Sequence, residues 1–131
     1  MKKNEVPGST KLEEIKLRNE KLKSIDESIA FYKEQVELSE SIKRLKQNPD
    51  YIKVYEQAYF KDEGERISNV ILEPNTLKRD QLENMLDMMS SIRNVKTFIM
   101  YRENDGEVAL GHIADLEKMK IDELNPQSDG E

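Results

Sequence analysis

Ile15, Leu22, Ile29 and Val36 stand seven residues apart, with Ile25 and Tyr32 at the intervening position. The positions between them are mostly Lys, Arg, Glu and Ser. Apolar side chains at this spacing line up along one stripe of an α-helix, the pattern of a coiled-coil seam. The helix that carries the stripe has marked ends. Thr10-Lys11-Leu12-Glu13 is a capping box, in which hydroxyl and carboxylate each take up a backbone N–H left free by the first turn. Gln47-Asn48-Pro49 is the stop, because proline disfavours a helical conformation in the residue before it. Residues 10–47 are therefore predicted to form one amphipathic, coiled-coil-like helix, about 55 Å long at a rise of roughly 1.5 Å per residue. After Val36 the apolar line shifts to Leu38, Ile42 and Leu45.

So narrow a stripe does not hold so long a rod by itself. Burying an aliphatic side chain contributes roughly 1.5–3 kcal/mol, while ordering one residue's backbone costs about 1–2 kcal/mol. A covering surface is required, from the rest of the chain, a second copy or another protein. The expectation is that at least the C-terminal half packs on the chain itself and that the N-terminal half projects. Ile15, Leu22, Ile25, Ile29, Tyr32 and Val36 are the candidate partner-binding residues. Association through residues 12–36 should then be abolished by Leu22→Glu with Ile29→Glu, leaving the bundle folded.

Helical spacing continues beyond Pro49. Asn48 is the expected N-cap, Pro49 occupies the first helical position, where its missing N–H costs nothing, and Asp50 sits favourably in the first turn. This second helix carries Tyr51, Tyr55, Tyr59, Phe60, Ile67 and Ile71. Gly64 within it suggests a kink or a close helix approach. Leu72-Glu73-Pro74-Asn75-Thr76 ends it. A third helix is expected from about Leu77 to Glu103, with Leu82, Met85, Leu86, Met89, Ile92, Val95 and Ile99 on its apolar face. Asn104-Asp105-Gly106 reads as a turn, followed by helical spacing to Leu124. A rival reading pairs Lys96–Tyr101 with Glu107–Ile113 as a β-hairpin around the Asp-Gly step. The expected fold is all-α: a long N-terminal helix, then a small bundle of about three shorter helices over residues 48–124. Residues 1–9 and 125–131 are expected to be flexible tails.

Composition narrows the chemistry. With no Cys, thiolate nucleophiles and thiolate metal sites are excluded. His112 is the single histidine, so one chain contains neither a His-based triad nor a two-histidine metal site. It reads as a polar residue at the edge of a core. Aligning Gly106 with the glycine of an EF-hand loop puts Tyr101 and His112 where carboxylates should ligate calcium, and that site is rejected. No phosphate loop or nucleophile elbow is present. The expectation is a non-enzymatic protein with no cofactor.

The net charge of −6 is uneven: residues 1–47 carry eleven basic and nine acidic side chains, residues 48–131 ten and eighteen. That acidity argues against nucleic acid and anionic membranes as partners. It also argues against reading Tyr51, Tyr55 and Tyr59 as a base-stacking platform, which needs cationic surroundings. Core packing or a protein interface is the better reading. Met85, Met88, Met89 and Met100 read as core filler, with an adaptable Met-rich groove as the second reading. The start of the chain has no apolar run of a secretory signal.

Leu45 through Val54, with its Asn48-Pro49-Asp50-Tyr51 helix start, and Ala58-Tyr59-Phe60-Lys61-Asp62-Glu63 carry a resemblance. It extends more weakly through Ile92–Phe98 and Ala109…Ile113…Glu117. The chain resembles small acidic helical proteins encoded among the virion genes of tailed bacteriophages. That resemblance implies a phage setting, in host cytoplasm or virion, and a structural or assembly role; it supplies no catalytic or binding residue. The expected function is a virion or assembly protein that binds a virion component or itself. The alternative is a soluble inhibitor of a host enzyme, acting as a DNA mimic through the acidic residues of 48–131.

Overall fold

Local capping chemistry sets where the helices begin. In the computed structural model, which describes residues 10–73 and 77–125, the capping box is closed in both directions. The Glu13 N–H donates to Thr10 Oγ1 and the Thr10 N–H donates to Glu13 Oε1, each at 3.2 Å. Helix α1 follows over Lys11–Lys46. At the next start Asn48 Oδ1 accepts from the N–H groups of Asp50 (2.8 Å) and Tyr51 (3.3 Å), with Pro49 at the first position.

Helix α2 covers residues 49–72. It opens with an α-helical turn, Pro49–Tyr51, continues through Ile52–Glu63 in the wider π form, and returns to α geometry over Gly64–Leu72. The π form bonds each N–H one residue further back than an α-helix does. Helix α3, Arg79–Leu124, is 46 residues long. Among the described residues all regular structure is helical, as expected, and the hairpin reading of residues 96–113 is excluded. The expected tails, apart from Asn125, lie outside the described residues.

The turn expected at Asn104-Asp105-Gly106 is absent, and α3 runs straight through it. Asp105 Oδ2 lies 3.1 Å from Arg102 Nε one turn back, and Gly106 is buried. Packing there outweighs a propensity penalty of about 1 kcal/mol for glycine. Two expected helices are therefore one.

The described residues fall into two units. The first comprises residues 10–36 and 107–125, in which the front of α1 and the end of α3 lie antiparallel. Lys21 pairs with Glu123 at 3.4 Å, Asp26 with Lys120 at 2.8 Å, and the Tyr32 ring stacks on His112 at 4.7 Å between centroids. Ile25, Ile29 and Ala109 are its buried apolar side chains. The second unit is Glu37–Gly106. Its core holds Ile42, Tyr51, Ile67 and Ile92, together with one buried polar residue, Ser39. The Ser39 hydroxyl donates to the Glu103 carbonyl oxygen at 2.7 Å, which satisfies it and ties the two backbones closely.

Gly64 is no site of close approach. A methyl group added there, or at Gly111 in α3, would meet nothing within 4 Å. Both backbones are helical. Gly64→Ala and Gly111→Ala are therefore each expected to stabilise the chain by about 0.5–1 kcal/mol, measured as a raised denaturation midpoint. A lowered midpoint for either would mean that its face is covered.

Candidate functional site

The candidate seam divides into two parts. Ile25 and Ile29 are buried within the first unit, and Leu22, Tyr32 and Val36 are half-buried there. Their covering surface is the end of α3, as the Asp26–Lys120 and Lys21–Glu123 pairs and the Tyr32–His112 stack show. The front of the seam is different. Leu12 is 74% exposed and Ile15 42%, both ahead of Lys21, where the described pairing with α3 begins. A glutamate at Ile29 would thus enter a core and test folding rather than association. Leu12 and Ile15 are the positions that report on a partner.

The second unit contains an open cleft of about 800 Å³ between α2 and α3. Phe60 and Gly64 on α2 and Met89, Ile92, Ile99 and Met100 on α3 form its apolar lining. At one end Lys46 Nζ donates to Glu103 Oε1 at 2.8 Å. That hydrogen bond raises the lysine's pKa above its ordinary value, against the opposing effect of burial, with the charges of Glu103 and Glu56 adding to it. Tyr51 lies beside this pair, and burial pushes its hydroxyl pKa up. Both groups keep their neutral-pH protonation, so this end is an anchored ion pair.

The tyrosines spaced four apart form one aromatic run. Tyr51 and Tyr55 stack at 5.3 Å, and Tyr55 and Tyr59 meet edge-on at 6.2 Å. Tyr51 belongs to the core, Tyr59 is half-buried and Tyr55 is exposed. Of the four methionines singled out, Met89 and Met100 line the cleft. The groove reading of that group is the signal by which sequence alone pointed there. Gly64 was the other hint, read as a kink or a close approach; it begins the return from π to α geometry and lies on the open side of a wall.

Among the described residues no three His, Asp or Glu side chains gather as a metal ion would need, and no helix is long and apolar enough to cross a membrane. Comparison with protein-family models, curated proteins and solved structures finds no match.

Proposed function

We propose that this chain is a non-catalytic bacteriophage protein that serves virion assembly by binding another protein, a virion component or a second copy of itself. The phage setting is supported by the resemblance along Leu45–Glu63. The binding role is carried by one observation: Leu12 and Ile15 stand exposed on one face at the front of a well-capped helix. Clustered apolar side chains left in water mark interaction surfaces, whereas the same seam further along is covered within the first unit.

Two measurements test this. Mass spectrometry of purified phage particles and assembly intermediates should find the chain, and its absence from all of them removes the reading. Leu12→Glu with Ile15→Glu should abolish association, seen by light scattering or by capture of the virion partner. Helicity should stay unchanged because both side chains are already solvated. Association that survives the double variant would show that the exposed front is not the contact.

A further inference from the structure

The charges around the cleft of the second unit are not those of the chain. The whole protein carries −6, yet Lys61 on α2 and Arg93 and Lys96 on α3 line this cleft on both walls. All three are exposed, and none forms an ion pair within the described residues. Lys96 is held over the apolar lining, its ammonium 5.8 Å from the centroid of the Phe60 ring. The acidic side chains in the lining are Glu103, which is bound to Lys46, and Glu56, whose charge acts on the same lysine. The middle of the cleft therefore presents three cations beside an apolar floor, and its Lys46 end is closed by an internal pair.

The lining also has a direction. On α3 it recurs at Met89, Ile92, Lys96, Ile99 and Glu103, one helical face that extends about 21 Å at roughly 1.5 Å per residue. A trough of that length accommodates about four turns of a second helix. Methionines in the floor adapt to irregular apolar ridges. A single-headed anionic amphiphile would satisfy one of three separated cations. A helix with an apolar stripe and carboxylates along both flanks would satisfy all of them.

We propose that this cleft is a docking groove for an acidic amphipathic helix of a partner protein, its leucine-type stripe on the Phe60–Met89–Ile92–Met100 floor and its carboxylates against Lys61, Arg93 and Lys96. This deepens the protein-binding reading and rests on it, but not on the exposed front of α1. A chain found in virions whose cleft ignores such helices would leave that reading standing and remove this one.

The test uses the full chain and two labelled peptides of equal length and identical leucine stripe, one flanked by Glu and the other by Lys, followed by fluorescence anisotropy. The Glu peptide should bind on the order of tenfold tighter or more, and its affinity should fall as salt rises. Reversing the three cations (Lys61→Glu, Arg93→Glu, Lys96→Glu) should invert the preference. Gly64→Leu should weaken the Glu peptide on the order of tenfold with unchanged helicity, since its side chain projects into open space. Equal binding of both peptides, binding of neither, or a preference that survives the reversal overturns the proposal. So does a dimer of the free chain that the reversal dissolves, which assigns the cleft to a second copy, or equally tight capture by laurate or by anionic vesicles.

Discussion

Ile67→Ala is expected to destabilise the chain by about 2–5 kcal/mol, the range for deleting a buried aliphatic side chain and leaving its cavity behind. Ile67 is 0% exposed and sits in the Gly64–Leu72 part of α2. Val70 and Ile71 beside it are only half-buried, so they offer little apolar material to collapse into the space. Leu72 is the matched control: a neighbouring aliphatic in the same helix, but 75% exposed. Leu72→Ala should fall within about 0.5 kcal/mol of the parent. Urea denaturation followed by far-UV circular dichroism reads both. Domains of this kind are stable by only about 5–15 kcal/mol, so the first change removes a large part of the margin. Equal midpoints for the two variants would mean that α2 is not anchored through Ile67.

The contrast between Ile67 and Leu72 shows what a single sequence reveals. Local chemistry was legible: the Thr10–Glu13 box, the Asn48 cap ahead of Pro49 and the helical period of α3 depend on residues a few positions apart. The buried positions of α3 were partly legible, since Ile92 is core and Met89, Val95 and Ile99 are half-buried, while Leu86 on the same expected face is exposed. What failed was whatever depends on another helix. Asn104-Asp105-Gly106 carries a turn's composition, and the burial of Gly106 overrides it. Ser39 is polar and so invisible to an apolar pattern, yet its hydroxyl reaches a carbonyl 64 positions away in the chain. Val54 and Tyr55 count as apolar but are exposed in the π-wound stretch, where the period assumed for reading faces no longer applies. The candidate cleft was hidden for the same reason. Lys61 and Arg93 look like ordinary members of a solvated face until α2 and α3 bring them to one groove.

Ile25→Glu is the substitution that separates folding from association along α1. Ile25 is 5% exposed, and its sequence neighbour Asp26 already holds Lys120 at 2.8 Å. A carboxylate placed at Ile25 would be desolvated among apolar side chains, a position for which a loss of about 3–5 kcal/mol is expected. The loss should depend on pH in a defined sense. Desolvation raises the folded-state pKa of the new group above its unfolded value of about 4.3. The penalty is then small below that value, where both states are protonated, and grows as pH rises through it. Hydrogen exchange should accelerate in residues 11–36 and 107–124. Leu12→Glu, at a position 74% exposed, should leave exchange and stability unchanged at every pH while weakening association. If Ile25→Glu leaves exchange in both segments slow at neutral pH, the end of α3 does not cover the seam. The stripe from Ile15 to Val36 would then be available along its whole length, and Leu12→Glu alone would weaken association only slightly.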